Sequence, residues 1–178
     1  VLTVMNSFNI LNGIPATANK FLQRDILKGK WKFKGFVISD WGSGAEMIAH
    51  TISPDCAIIT DVAHDTTTPM IDKIAEGDFK CGAGPMLTIG PAVHNNLLKH
   101  IRSNADKNKI PYQMDAASRA TGTDTDAFAY TKGGIPSALI SLPLRYMHTT
   151  VEMVHKHDVE NVIKLIYESI LTLSPKFD

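Results

Sequence analysis

The stretch FVISDWGSGAEMIAHTISPDCAIITDVAHDTTTP, residues 36–69, contains two short apolar runs, FVIS and CAIIT, and an aspartate follows each run. These aspartates are Asp40 and Asp61. Short apolar runs bounded by turn residues predict buried strands, and α/β proteins often place their chemistry at the carboxyl ends of such strands. The stretch therefore predicts two strand ends, each with a candidate functional carboxylate.

The composition is that of an ordinary soluble globular protein, with 178 residues, 44% hydrophobic and 20% charged, and no formal net charge. The charge balance gives no reason to expect nucleic acid or a membrane surface as a partner, and no apolar run could cross a bilayer. Because the chain begins at Val1 without a signal-peptide pattern, we expect it to be a piece of a longer one. Cys56 and Cys81 form no disulfide framework, which favours a reducing, cytoplasmic location.

Residues 1–50 predict one strand–helix–strand unit. VLTVMNSF and FVIS are the predicted strands, and Asn19 is a candidate cap for a helix through KFLQRDILKGKW. Apolar strands joined by a helix predict a parallel pair.

Strand and helix also alternate after residue 50, so we predict an α/β fold with a mixed sheet flanked by helices. The predicted strands are CAIIT, GPMLTIGP, YQMDAA and SALISLP, and a helix is predicted in HNNLLKHIRSNADKNK. Asp158 is a candidate cap for the last helix. The apolar stripe of this helix consists of Val159, Val162, Ile163, Ile166 and Ile170.

The run from VMNSFNILNGIPATAN to GFVISDWGSGAEMIAH resembles part of the catalytic (β/α)8 barrel of family-3 glycoside hydrolases, the β-glucosidase type. This resemblance implies that Asp40 matches the nucleophile that forms the glycosyl-enzyme, and that Trp41 matches an aromatic residue beside it. A retaining glycosidase also needs a second carboxylate about 5 Å away, which the family supplies from elsewhere. Without the resemblance, Asp40 reads as a strand-end carboxylate that caps the next turn.

Residues 51–178 resemble the carboxyl-terminal half of the glutamyl-aminopeptidase and tetrahedral-aminopeptidase family, through the motifs DVAHD, ATGTD and LRYMHT. The resemblance implies a two-metal peptidase with zinc or cobalt, peptide substrates and a homo-oligomeric intact protein. Asp61 then matches a carboxylate ligand of one metal, and His148 matches an imidazole ligand of the other. Without the resemblance, Asp61 reads as a turn-forming aspartate and His148 as a loop histidine.

The predicted metal site is incomplete, since the family takes its other ligands and its general base from a first half with no counterpart here. A catalytic zinc usually has three protein ligands, so we expect weak metal binding and no activity. The resemblance also implies that Thr123 and Asp124 line the substrate pocket, and the residues of ATGTD predict a turn at Gly122. His64 is expected to orient the loop rather than bind metal. His155 and His157 precede a helix and are expected to be exposed or capping.

Two domains are therefore predicted: a glycoside-hydrolase-like barrel fragment over 1–50, and half of a metallo-aminopeptidase catalytic domain over 51–178. They meet near His50–Pro54 as in a chimera. The leading functional interpretation is an incomplete metallo-aminopeptidase. The alternatives are a β-glucosidase that uses Asp40, or a non-catalytic chimeric fragment that associates through exposed sheet edges.

Overall fold

A computed structural model describes residues 3–6, 10–16, 18–34, 36–39 and 44–174. In chain order, its elements are β1 (Thr3–Asn6), β2 (Ile10–Leu11), β3 (Ile14–Pro15), a π-helix (Phe21–Lys30), β4 (Phe36–Ser39), α1 (Ala45–Ile52), β5 (Ala57–His64), α2 (Lys73–Glu76), β6 (Met86–Ile89), α3 (Asn95–Lys107), β7 (Gln113–Ala116), α4 (Asp124–Tyr130), β8 (Ser137–Arg145), β9 (Met153–Val154) and α5 (Lys156–Leu171). The chain divides into two compact units, residues 1–55 with 122–135, and residues 56–121 with 136–178.

In the first unit, β1 and β4 form the parallel pair that the strand–helix–strand pattern predicts. β2 and β3 form an antiparallel hairpin. Asn12 and Gly13 make its turn with φ of 53° and 80°, because Asn-Gly accepts two successive left-handed residues at low cost.

The helix between β3 and β4 begins as the sequence predicts. Asn19 Oδ1 accepts a hydrogen bond from Leu22 N–H at 3.1 Å, and so caps the π-helix. At the other end, Trp31 N–H donates to the carbonyl of Ile26, five residues back, which is the spacing of a π-helix. α1 packs against α4, and the small buried face of Ala45 and Ala49 lets the two helices approach.

The second unit is built on a five-stranded mixed sheet in the order β5-β8-β6-β7, with β9 on the end of β8. β5 runs parallel to β8, β6 runs parallel to β7, and β6 and β8 are antiparallel. The predicted α/β class with a mixed sheet flanked by helices is confirmed.

The core of the second unit lies where α3 and α5 pack on one face of the sheet. On α3, the apolar face predicted from the sequence is fully buried, with Leu97, Leu98, Ile101 and Ala105 at most 5% exposed. Ala138 and Ile140 of β8 face these helices.

The apolar stripe predicted for α5 is only partly buried. Val162 is buried as expected, but Ile163 is 63% exposed and Ile170 is 58% exposed. Leu165, which the predicted stripe omits, is completely buried instead. Apolar residues cover more of this helix than one neighbouring surface can bury, so contact with α3 and β8 selects which of them face inward.

Among the described residues, no helix is long and apolar enough to cross a membrane.

Candidate functional site

Asp61 lies inside β5, whereas the sequence predicts that the strand ends just before it. The strand continues in register with β8, so that Asp61 pairs with Ser141 and His64 pairs with Leu144. Polar residues can continue the strand because β8 is long enough to offer partners for each of them. The Asp61 side chain is half-buried, and its Oδ1 accepts a hydrogen bond from Val62 N–H at 2.8 Å.

The Asp61 side chain projects from the face of the sheet opposite to α3 and α5. Ile58 on β5 and its register partner Ala138 on β8 both contact the core on the helical face of the sheet. Side chains alternate along a strand, so Asp61 and its partner Ser141 project from the other face.

His148 lies in the turn that follows β8, where the sequence places it. Tyr146 and His148 have φ of 55° and 63°, in the left-handed region that non-glycine residues rarely adopt. His148 N–H donates to Glu152 Oε1 at 2.6 Å, and Thr149 Oγ1 donates to the Tyr146 carbonyl at 2.6 Å. These bonds hold the strained turn in place and leave the His148 side chain exposed.

The two predicted ligands therefore belong to neighbouring parallel strands, Asp61 on β5 and His148 just beyond β8. Carboxyl ends of parallel strands lie at the same edge of a sheet. However, no group of three or more His, Cys, Asp and Glu side chains in the described part of the chain is arranged to hold a metal ion. The donor set thus does not fit a complete catalytic metal centre, which takes about three protein ligands per zinc.

Asp65, in the loop directly after β5, organises the neighbouring segments through a buried carboxylate. Its Oδ1 accepts from Thr67 N–H at 2.7 Å, and its Oδ2 accepts from Cys81 N–H at 2.9 Å. Burial raises the pKa of Asp65, but the hydrogen bonds from Thr67 and Cys81 together lower it below its ordinary value. Burial and the carboxylates of Asp65 and Asp158 raise the pKa of the Cys81 thiol to about 11, so this cysteine is a poor nucleophile.

The lowered pKa of Asp65 predicts acid sensitivity. A carboxyl group whose pKa is lower in the folded state stabilises that state fully above its unfolded pKa of about 3.9, and this contribution is lost as pH falls through the folded pKa. We expect Asp65→Asn to lower the free energy of unfolding at pH 7, with the difference from wild type shrinking below about pH 4. Urea unfolding of both proteins at a series of pH values measures this difference in the free energy of unfolding. The exposed Asp106→Asn on α3 is the control, and an Asp65→Asn deficit that is equal at pH 7 and pH 3 would contradict the assignment.

Asp158 is a buried structural carboxylate rather than the helix cap predicted from the sequence. α5 begins at Lys156, so its N-cap is His155, three residues before Asp158, and no side-chain capping bond forms there. Asp158 is 0% exposed, and it accepts hydrogen bonds from Gly82 N–H at 2.6 Å and Gly84 N–H at 3.0 Å. The only signal for this role in the sequence is the distant Gly-Ala-Gly segment, whose bare backbone allows such close approach.

Thr123 and Asp124 belong to the first compact unit. Thr123 is the N-cap of α4 and accepts a hydrogen bond from Thr125 N–H at 3.2 Å, while Asp124 is the first residue of the helix. Gly122 has a φ of 69°, as expected for a turn, and its N–H donates to Asp126 Oδ2 at 3.0 Å. The role of Thr123 and Asp124 in lining a pocket stays a prediction.

The remaining candidates are distributed as follows. His155 and His157 are exposed, as predicted, with their rings in edge-to-face contact at 5.0 Å, but only His155 precedes the helix, since α5 begins at Lys156 and includes His157. His64 is the last residue of β5. Asp40 and Trp41 lie outside the described residues, and β4 is described as far as Ser39.

The α/β fold of the chain matches that of TET aminopeptidases. The chain matches the TET aminopeptidase of Thaumarchaeota archaeon SCGC AB-539-E09 with a TM-score of 0.68 and 30% identity, over 75% of this chain and 38% of that one. It also matches the Pyrococcus horikoshii TET1 peptidase, which assembles into a tetrahedron or a large octahedral shell, with a TM-score of 0.53 and 26% identity, over 71% of this chain and 36% of that one.

The chain belongs to the M42 glutamyl aminopeptidase family, whose sequence profile matches residues 42–165. It is 33% identical over 132 residues to the lysyl aminopeptidase of Pyrococcus furiosus. The match covers 74% of this chain and 37% of that protein. The chain thus spans less than two fifths of the length of the curated aminopeptidases that it resembles.

The amino-terminal segment has a different relationship. The profile of the glycosyl hydrolase family 3 amino-terminal domain matches residues 1–58. Forty-one residues are 56% identical to β-glucosidase B of Emericella nidulans, covering 23% of this chain and 5% of that enzyme. The two profiles overlap over 42–58, which includes the predicted junction at His50–Pro54. Both resemblances read from the sequence are confirmed, and the pattern is that of a chimera.

Proposed function

We propose that this chain is the carboxyl-terminal part of an M42-type aminopeptidase catalytic domain, with Asp61 and His148 as one ligand for each of two divalent metal ions, zinc or cobalt. The observation that carries the proposal is that Asp61 lies on β5 and that His148 lies in the turn just after β8, the parallel strand paired with β5. Carboxylate oxygen and imidazole nitrogen are ligands that both metals accept. Family membership supports the same assignment.

The substrate class proposed for the complete protein is peptides, from which an aminopeptidase removes amino-terminal residues. This follows from the relatives, which are named as aminopeptidases. A homo-oligomeric state of the complete protein is proposed on the same basis, because the TET1 relative assembles into closed shells. Thr123 and Asp124 are proposed to line the substrate pocket.

The chain by itself is proposed to lack activity. Two ligands for two ions leave most coordination positions to water, and each lost protein ligand weakens metal affinity steeply. The division at about residue 50 is proposed as the boundary between two ancestral domains. We propose that the 1–50 segment does not hydrolyse glycosides, because a retaining glycosidase needs a second carboxylate beside the nucleophile that Asp40 resembles.

Metal titration tests the peptidase proposal directly. We expect calorimetry of the metal-free chain with Co²⁺ or Zn²⁺ to give a dissociation constant on the order of 0.1–1 mM, far weaker than an intact structural zinc site. Asp61→Ala and His148→Ala should each weaken it further, while the exposed His157→Ala should leave it unchanged. No arylamine should be released from leucine or glutamate arylamides.

Two outcomes would contradict the proposal. Equal binding by wild type and His148→Ala would remove His148 from the ligand set. Micromolar binding that is lost in His148→Ala would show that further ligands complete the site, with His64 and Asp124 the first to examine.

A further inference from the structure

The charge balance of the whole chain conceals a local excess of positive charge in the first unit. Residues 20–34 hold six of the 18 lysines and arginines but only one acidic residue, Asp25. The six cationic side chains are all exposed, and they are Lys20, Arg24, Lys28, Lys30, Lys32 and Lys34. An approaching partner responds to the charge of the surface that it meets rather than to the total, so this surface attracts anions.

Four of these lysines fall within residues 28–34, KGKWKFK, which we call the basic segment. Backbone hydrogen bonds hold this segment against the end of the π-helix. Trp31 N–H donates to the Ile26 carbonyl at 2.8 Å. Phe33 N–H donates to the Leu27 carbonyl at 3.0 Å. The four lysines are therefore collected around one helix end instead of being spread along an extended strand.

An exposed aromatic ring lies among these lysines. The Trp31 side chain is 69% exposed, and Lys30 and Lys32 flank it in the chain. Phe33 is partly buried, and Lys28 Nζ lies 4.9 Å from the centre of its ring. An exposed ring beside cationic side chains is the combination that binds unpaired nucleic-acid bases, because every base has a flat face that stacks.

The end of the helix does not by itself account for the basic segment. Lysines in the last turn of a helix complement the partial negative charge at its carboxyl terminus, which explains Lys28 and Lys30. Lys32 and Lys34 lie beyond the helix. No ion pair joins either of them to a carboxylate in the part of the chain that the structure describes. Like charges at such close spacing repel one another, and a bound polyanion removes that repulsion.

We propose that the basic segment binds single-stranded nucleic acid, with its lysines on the phosphates and one base stacked on Trp31. Lysine ammonium groups contact phosphates as compact point charges, and an exposed ring stacks on any base. Binding is therefore independent of base sequence. It does not depend on metal binding or on the proposed peptidase function, because every residue involved lies in the first unit.

An anionic membrane is the alternative partner of a basic segment, and the helix is less suited to it. A helix that lies in a membrane interface presents a continuous apolar face. In the π-helix, Leu27 is buried, and Leu22 and Ile26 are partly buried. The exposed aromatic residues are separated, with Phe21 at the first position of the helix and Trp31 just after its last. Separate rings among lysines favour stacked bases over a lipid surface.

The test is fluorescence anisotropy of a labelled oligo(dT) of about 12 nucleotides, a length within the range that such sites cover. The 178-residue chain is titrated into it at several salt concentrations, without added metal. We expect the logarithm of the association constant to fall with the logarithm of salt concentration with a slope of about −2 to −3, as for roughly three or four phosphate contacts to a single strand. Oligo(U) should bind alike, because neither contact uses the 2′-hydroxyl group.

Two kinds of variant separate charge from stacking. A triple variant should make the salt slope shallower by about 2, because it removes three phosphate contacts, and it combines Lys30→Gln, Lys32→Gln and Lys34→Gln. Trp31→Ala should weaken binding about tenfold at every salt concentration and leave the slope unchanged, while Trp31→Phe should restore most of the affinity. Exposed residues of the second unit provide matched controls without effect, Tyr167→Ala for the ring and, for the charge, the triple variant Lys99→Gln, Lys107→Gln and Lys109→Gln.

Three outcomes would overturn the proposal. The first is equal affinity of the wild type and the triple variant of the basic segment. The second is equal affinity for oligo(dT) and for an abasic strand of the same length, which would show that no base stacks on Trp31. The third is binding to phosphatidylserine vesicles or to polyglutamate under conditions in which oligo(dT) does not bind, which would identify a membrane or an acidic protein as the partner.

Discussion

Replacing Asp158 by alanine is expected to lower the free energy of unfolding of the second unit by about 3–5 kcal/mol. Its carboxylate is fully buried and accepts hydrogen bonds from the backbone N–H groups of Gly82 and Gly84. Removing the acceptor leaves two amides unsatisfied, and each such loss costs about 1–3 kcal/mol. Urea denaturation followed by circular dichroism measures the change.

Two further variants separate the causes. Asp158→Asn keeps the volume but directs an amide NH₂ at one of the two donors, so we expect roughly half of the alanine deficit or more. Glu160→Ala lies on the exposed side of the same helix, where its ion pair with Lys156 spans 3.5 Å, and should cost less than about 0.5 kcal/mol. If Asp158→Ala and Glu160→Ala lower the free energy of unfolding equally, Asp158 does not anchor the loop.

Gly84→Ala is expected to lower the free energy of unfolding by about 3 kcal/mol, nearly as much as Asp158→Ala. Gly84 has a φ of 99°, which strains any residue with a side chain. A Cβ at this position would also lie 2.2 Å from the Pro111 carbonyl oxygen, so the backbone would have to move. Both effects add to the loss of a hydrogen bond to Asp158 if the loop shifts. Thermal and urea unfolding of the variant measure the sum.

Gly82→Ala is the matched control, because the same loop holds Gly82 at a φ of 86°. A Cβ there would lie 3.4 Å from the His155 ring, an ordinary contact. We expect Gly82→Ala to lower the free energy of unfolding by about 1 kcal/mol, which is the cost of placing a side chain in the left-handed conformation alone. If Gly82→Ala and Gly84→Ala destabilise equally, the close approach of Gly84 to Pro111 contributes nothing.

Both predictions concern the loop of residues 79–84, whose backbone amides are bound by two buried carboxylates, one from each side of the loop. Asp65 binds the amide of Cys81 from the end of β5, and Asp158 binds the next part of the loop from α5. Charge-assisted hydrogen bonds to backbone amides are stronger than neutral ones. The loop before β6 is thereby tied to the strand of Asp61 and to the last helix.

Much of the fold could be predicted from local patterns. The strand SALISLP corresponds to β8, and the helix predicted in HNNLLKHIRSNADKNK corresponds to α3, including its buried face. The Asn19 cap also forms as expected. These features depend on residues close in sequence, so periodicity and turn chemistry are enough to reveal them.

Features that depend on distant neighbours were predicted less well. β5 continues past Asp61 because β8 pairs with it as far as His64. α5 turns Ile163 and Ile170 to solvent because only one of its apolar faces meets α3 and β8. Residues 122–135, which follow the 51–178 pattern in sequence, cluster with residues 1–55.

The sequence by itself determined the two family relationships, the α/β class and the candidate ligands Asp61 and His148, since these reside in short motifs of defined residue types. Only the tertiary structure decided that Asp158 anchors a loop 74 residues away instead of capping its own helix. It also decided that Asp61 covers an amide on the edge of the sheet. A buried carboxylate takes whatever donors the fold brings within about 3 Å, and sequence patterns carry information about neighbours only a few residues away.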